Sequence, residues 1–455
     1  MSETLSFHPF ANLIPSMSDE EYQGLKADIA EHGQREPIVL YEKQILDGRH
    51  RYRACCELGL TPKCVDWEDA GSAVDLVVSV NLHRRHLTQG QRAAIAVEAA
   101  TMRDLEIQAR ERSMSNLKKG DSIPEVARLP PREKVKIREL MAAEFNASPR
   151  YIQDAKTILS SKPELLEQVK EGRVTLPQAK QALRREQKLA EMQQKAEAAE
   201  SASSEEPSWE IICTDCLTHL DTILEPPRLI FADPPYNIGI DYGDGADADR
   251  MPTREYLGWC EEWIRLCADC LSRDGSLWLL INDEWADHFG VILREVGLHR
   301  RAWIKWYESF GTNCSNNFNR CSRHLFYCVR DPKNFVFDEN AVTRPSDRQT
   351  KYADKRADPA GKLWDNVWGI NPPIPRLTGT CDERIPEFPT QLPLALLEPI
   401  VLCASEPGDL IVDPFSGSGT TGAAAIRHGR RYIGIEQSSK FADLARMRLK
   451  GVSHA

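Results

Sequence analysis

Arg228-Leu229-Ile230-Phe231-Ala232 followed by Asp233-Pro234-Pro235-Tyr236 is the stretch that decides the fold. The apolar run 229–232 is short enough for a buried strand. Two prolines cannot continue a β-ladder, so the chain leaves the sheet at Asp233. In open α/β sheets, ligands bind where the chain leaves the carboxyl ends of the strands. An acid, a proline carbonyl and an aromatic ring thus converge on a place suited to a flat substrate carrying an NH2 group. The plain alternative is a strand end with a stiff turn.

A second stretch separates these readings. Asp409-Leu410-Ile411-Val412-Asp413 reads as another buried strand, followed by Pro414-Phe415-Ser416-Gly417-Ser418-Gly419-Thr420-Thr421 and a helix through Ala423-Ala424-Ala425. Glycines at a strand-to-helix turn let the backbone approach a ligand closely. Arg431-Tyr432-Ile433-Gly434-Ile435-Glu436 reads as a third strand ending in an acid. An acid about twenty residues beyond such a turn is placed to hold ribose hydroxyls.

With these motifs, residues 207 to about 450 resemble the amino-group DNA methyltransferases that use S-adenosylmethionine, in the permuted order that puts D-P-P-Y before F-x-G-x-G. The resemblance implies an α/β class: the Rossmann-like, class I methyltransferase sheet. It makes Asp233, Pro234, Pro235 and Tyr236 catalytic. It assigns the cofactor to Asp215 and Cys216 of Thr214-Asp215-Cys216, to Thr390 and Gln391 of Phe388-Pro389-Thr390-Gln391-Leu392-Pro393, and to Asp413, Phe415, Ser416, Gly417, Gly419, Thr420, Thr421 and Glu436. Asp before Pro-Pro-Tyr favours adenine N6 in a flipped base; cytosine N4 is the alternative. A third reading is a nucleotide-gated DNA-binding regulator whose methyltransferase half is vestigial. The expected partner is double-stranded DNA, in a restriction–modification or mobile-element setting, with a homodimer in keeping with the family. No partner nuclease is legible.

A chain of 455 residues is too long for one core. Its net charge of −10 is uneven: residues 84–188 hold 22 Lys+Arg against 14 Asp+Glu. Such local fields, not the whole-chain sum, capture nucleic acid. No apolar stretch approaches the 18 residues of a membrane span, and the first thirty residues lack a signal-like block. Thirteen scattered cysteines fit a reducing, cytoplasmic and nucleoid-associated setting. The CxxC pairs Cys213/Cys216 and Cys267/Cys270 read as small buried side chains and not as a metal site.

Residues 1–75 read as a small α+β unit. A helix starts at Ser18-Asp19-Glu20-Glu21 and stops at His32-Gly33; strands follow at 37–41 and 44–46, and a helix begins in Asp47-Gly48-Arg49-His50-Arg51-Tyr52-Arg53. Gly48, Arg49, His50, Arg51 and Arg53 at a helix N-terminus make a nucleotide or phosphate site. The unit resembles the domain shared by ParB-like partition proteins and sulfiredoxin. Arg49 stands where partition clamps carry Glu and sulfiredoxin its reactive Cys, which argues against either chemistry.

Residues 76–190 read as helical, with a polar loop over 113–131. Helix 137–145, the turn Asn146-Ala147-Ser148 and helix 149–159 resemble a helix-turn-helix, offering Arg150, Tyr151, Gln153 and Lys156 to DNA; an ordinary helical hairpin is the alternative. Residues 191–206 read as a solvated linker, and 207–455 as the enzyme domain. Within it, strands are expected at 210–213, 229–232, 276–281 and 301–305. Residues 331–388, with seven prolines and little periodicity, form the putative target-recognition insert, where Lys351, Lys355, Arg356, Arg376 and Arg384 are candidate DNA contacts. The loop 309–317 is placed to close over the substrate.

Overall fold

The computed structural model describes residues 5–68, 71–82, 87–117, 137–202, 208–242, 249–379 and 381–452. It has two compact units, residues 1–186 and 187–455.

In the first unit, α1 (Asp19–His32) opens with a capping box between Ser18 and Glu21. Strands β1 (Ile38–Tyr41) and β2 (Gln44–Asp47) form a hairpin whose turn residues Glu42 and Lys43 both have positive φ. Next come α2 (Arg49–Glu57), β3 (Cys64–Asp66), α3 (Ala73–Leu82) and α4 (Gln89–Leu117). Then follow α5 (Ile137–Glu144), α6 (Pro149–Ser161), α7 (Pro163–Lys170) and α8 (Leu176–Ala202), the last continuing past residue 186. The Ser148 hydroxyl accepts from Tyr151 N at 3.1 Å and Pro149 opens α6, so the helix–turn–helix at 137–161 forms as its cap chemistry dictates.

Three expectations are corrected. One apolar cluster runs from Leu13 and Leu46 through Val74, Ile95, Phe145 and Ile152 to Leu183, so no core boundary falls near residue 75. The three short strands β2-β1-β3 cannot bury a face by themselves, and α2 and α3 pack on them. The stretch read as a linker is helix as far as Ala202, because Ala, Gln, Glu and Lys are strong helix formers and Met192 and Ala196 are buried. The polar loop expected over 113–131 is helical to residue 117 and beyond that lies outside the described residues.

The second unit carries an eight-stranded sheet. Its elements are β4 (Trp209–Cys213), α9 (Cys216–His219), β5 (Leu229–Ala232), α10 (Thr253–Cys270), β6 (Ser276–Ile281), α11 (Ala286–Glu295), β7 (His299–Thr312) and β8 (Arg320–Val329). Then come β9 (Thr343–Arg344), α12 (Asp347–Thr350), β10 (Lys362–Leu363), β11 (Val367–Trp368), α13 (Leu394–Ala404), β12 (Leu410–Asp413), α14 (Thr420–Arg427), β13 (Arg431–Glu436) and α15 (Ser439–Lys450). The order is β11-β7-β8-β6-β5-β12-β13-β4, and only β8 runs antiparallel to its neighbours. Leu229 and Phe231 face the α13–α15 side with Leu397 and Ala424, while Ile230 and Ala232 face the α10–α11 side with Trp263 and Phe289. Both faces are covered, which is why the strands read as unbroken apolar runs.

All four expected strands form, but β7 runs seven residues past Lys305, into the segment read as a loop. The strand β8 and the insert's contribution to the sheet were not expected. The insert is not structureless: β9 and β10 pair, β11 extends the sheet edge, and Trp368 packs near Trp278.

Strands β5 and β12 are parallel neighbours, with Val412 paired to Ile230. The chain leaves β12 toward β13 and leaves β5 toward β6, in opposite directions along the sheet. This is the switch point at which a ligand crevice opens beyond the carboxyl ends.

Candidate active site

Asp233 follows the last residue of β5. The chain after it is held by Asp249, 6% exposed, whose carboxylate accepts from four successive backbone amides: Asn237 at 2.8 Å, Ile238 at 3.1 Å, Gly239 at 3.0 Å and Ile240 at 2.9 Å. Asn237 sits in the left-handed region at φ 60, and its side chain bonds both backbone groups of Met251. The Tyr256 hydroxyl donates to the Pro235 carbonyl at 2.8 Å, and Trp285 Nε1 donates to the Tyr236 carbonyl at 2.8 Å. The Pro234 carbonyl takes part in none of these bonds. Replacing Asp249 with alanine is expected to leave these amides without their acceptor. At about 1.5–3 kcal/mol per charge-assisted bond, hydrogen exchange at residues 237–240 should accelerate at least about tenfold; unchanged exchange would deny the clamp.

The Tyr236 hydroxyl donates to Asp233 Oδ1 at 2.5 Å and accepts from Arg323 at 3.1 Å. The Arg323 Nε lies 3.2 Å from the buried Glu308 carboxylate, and its guanidinium stands over the rings of Tyr236 and Trp306. Burial pushes the Asp233 carboxyl up to about 6; the Arg323 charge and the Tyr236 bond hold it from rising further, and Glu308 adds to the rise. Asp233, Asp249, Arg323 and Glu308 thus build the candidate catalytic corner. Only the first was read from the sequence.

Beside this corner lies a cleft of about 390 Å³, lined by Thr214, Asp215, Asp233, Phe388, Asp413 and Glu436 among others. Asp215 caps α9 by accepting from Leu217 N at 2.7 Å, and Cys216, largely buried, reaches the cleft wall. Phe415 packs against Trp259 and Trp263, and the Ser416 hydroxyl shares a 2.9 Å bond with Tyr432. Asp413 accepts from Phe415 N at 2.9 Å and from the Thr421 hydroxyl at 2.6 Å; Thr420 bonds the Leu392 carbonyl. Glu436 accepts from the amides of Gly417 and Ser438, both at 2.9 Å. Gly417 has φ 52, and a Cβ there would lie 2.6 Å from the Phe388 ring. Gly419 caps α14. Thr390 faces the cleft, whereas Gln391 does not: it is buried, accepting from Ile385 N and donating to the Glu383 carbonyl, and so braces the segment.

S-adenosylmethionine is the cofactor of this class of fold, and the residues present fit it. Burial raises Asp413 to about 7 and lifts Glu436 and Asp233 as well, so the cleft gains by taking up positive charge, such as a sulfonium. Asp215, Phe388, Thr390, Gly417 and Glu436 all line this cleft. Among the described residues, no group of three or more His, Cys, Asp or Glu is arranged to hold a metal.

The other predicted residues lie elsewhere. Gly48 caps α2; Arg51 pairs with Glu36 and Asp47, and Arg53 with Glu57. Arg49 donates to the Ile14 carbonyl and to Asn12, and His50 accepts from Met17 N. The cavity at Arg49 and His50 is about 90 Å³, well short of the several hundred of a nucleotide-sized pocket. On α6, Arg150 and Gln153 are exposed and Lys156 half-exposed, but Tyr151 packs on the core. In the insert, Lys351 pairs with Asp347, Arg356 with Asp354, Arg384 braces the carbonyls of Phe388 and Pro389, and Arg376 is exposed.

Residues 228–447 match the N6/N4 DNA methylase family. The chain is 34% identical over 252 residues to the DNA adenine methyltransferase YhdJ of Escherichia coli (strain K12), across 54% of this chain and 83% of that protein. It is similar to the crystal structure of the M1.HpyAVI–SAM complex (21% identity, 53% of this chain and 98% of that one, TM-score 0.39) and to a Pnob8-like ParB-N domain (20% identity, 41% and 79%, TM-score 0.28). The family assignment rests on the sequence matches, not on these low structural scores. The chain belongs to the N6/N4 DNA methylase family, whose chemistry is methylation of exocyclic amino groups in DNA.

Proposed function

We propose that the enzyme methylates adenine N6 in DNA, with cytosine N4 as the second choice. What carries the reading is Asp233 standing at the end of β5, beside the glycine turn of the adjacent β12 and next to a carbonyl, that of Pro234, which the bonds among the described loop residues leave aside. An Asp before Pro-Pro-Tyr and the named activity of the 34% identical relative both favour adenine.

The lone pair of a base amino group is delocalised into its ring, which makes the nitrogen a poor nucleophile. Asp233 Oδ1 is taken by Tyr236, so Oδ2 is assigned to one amino N–H and the Pro234 carbonyl to the other. Two acceptors out of the ring plane draw the nitrogen toward tetrahedral geometry and free its lone pair. S-adenosylmethionine supplies, when bound, an electrophilic methyl. The charge that develops on nitrogen is opposed by the Asp233 carboxylate, whose raised pKa lets it take the departing proton. The flipped base stacks on Tyr236, which offsets part of the few kcal/mol of extrusion.

The pH dependence has a definite sign. The carboxylate must be ionised to accept the N–H, so transfer falls as pH drops through about 6. The Tyr236 bond lowers the Asp233 pKa, so in Tyr236→Phe this limb moves to higher pH while the plateau is largely kept. Tyr236→Ala loses about 5- to 150-fold on the plateau as well, the equivalent of about 1–3 kcal/mol of stacking. Rate profiles of the three proteins check this; an unmoved limb in Tyr236→Phe would deny the hydroxyl its role.

We read the order of β5 before β12 along the chain as the permuted arrangement of the resembled enzymes. The N-terminal unit is assigned a ParB-like DNA-contact role through Arg150, Gln153 and Lys156 of α6, with backbone phosphate a better fit than nucleotide to the small cavity at Arg49. Incubation with tritiated S-adenosylmethionine and unmethylated DNA, followed by nucleoside analysis, should yield N6-methyladenine. Label in N4-methylcytosine would select the second choice, and no label would sink both.

A further inference from the structure

Resting on that reading, we propose that Phe318, at the tip of the β7–β8 hairpin, is the wedge that enters the base stack of duplex DNA when the target base leaves it. The hairpin rises from the catalytic corner itself. In β8, His324 pairs with Ile281, the last residue of β6, so residues before it project beyond the sheet's carboxyl edge. One of them is Arg323, bonded to the Tyr236 hydroxyl. Arg320, three residues further out, lies 3.7–3.8 Å from Asp283 and Glu284, in the segment that follows β6, which ties the hairpin's base to the site.

At the tip, Phe318 is 93% exposed, and among the described residues no apolar side chain covers it. A Phe so placed costs solubility and contributes nothing to the core, while the tip around it is braced. Asn319 accepts from Cys314 N at 3.0 Å and donates to Asn313 at 3.1 Å; Asn317 accepts from Phe318 N at 2.8 Å; Asn316 takes φ 60. These bonds order the backbone that carries the ring, and cut the ordering cost of binding. The amides beside it are side chains that suit base edges. An extruded base leaves a gap in the stack, and apolar wedges inserted between base steps are a known way to fill one.

The experiment compares tritiated methyl transfer to a long unmethylated duplex DNA by wild type, Phe318→Ala and Phe318→Trp. An aromatic–base stack is worth about 5- to 150-fold. Phe318→Ala should lose that factor in kcat/KM, and Phe318→Trp should stay within about threefold of wild type. Thermal midpoint and S-adenosylmethionine affinity should match in all three, because the ring lies outside the core. Wild-type transfer with an unimpaired Phe318→Ala, or equal losses in both variants, would overturn the wedge alone. Absence of wild-type transfer would overturn the proposed function and the wedge with it.

Discussion

Asp233→Ala is expected to lose at least about 100-fold in methyl transfer while still binding S-adenosylmethionine. The carboxylate lines the cleft directly after β5, and Tyr236 and Arg323 are arranged around it. Cofactor binding should persist because Asp215, the Gly417 turn and Glu436 stand on other elements. Single-turnover transfer and calorimetry separate the two quantities. An alanine variant that still methylates would remove the acid from the mechanism.

Gly417→Val is expected to abolish cofactor binding and, through it, all transfer. A side chain at φ 52 is strained for a β-branched residue, and its Cβ would lie 2.6 Å from the Phe388 ring. Phe388 packs in turn on Phe441, so it cannot withdraw freely. Either the turn or the cleft wall must shift, and the Gly417 amide would lose its place against Glu436. Binding unchanged by calorimetry would discard the assignment of this turn to the cofactor.

The strands beneath both sites were legible because buried parallel strands are short apolar runs bounded by turn residues, as in Leu229–Ala232 and Leu410–Asp413. The glycines and acids at their ends announced the cleft for the same reason. Arg323 and Glu308 stayed hidden because their strands change character midway. From Leu325 to Val329, β8 is buried, but Arg320 to His324 is charged and resembles a loop. That charged half is the part that leaves the core and faces the catalytic corner. Arg323 pairs across to Trp306, a register that the polar run Ser322-Arg323-His324 does not announce. Asp249 offered none: its role depends on four amide groups brought together by a left-handed Asn237, which no spacing encodes. Gln391 erred the other way, since its motif position was right but its side chain turns inward to brace Ile385.

The claim beneath the whole account is that the acid of β5 and the glycine turn of β12 serve one reaction. A crystal structure with S-adenosylmethionine bound tests it most directly. A hydrogen bond of about 2.9 Å to the target nitrogen and an attack distance of about 3–3.5 Å place the methyl carbon within about 6 Å of the Asp233 carboxylate. A methyl found well beyond that reach, or a donor seated away from the Gly417 turn, would contradict it.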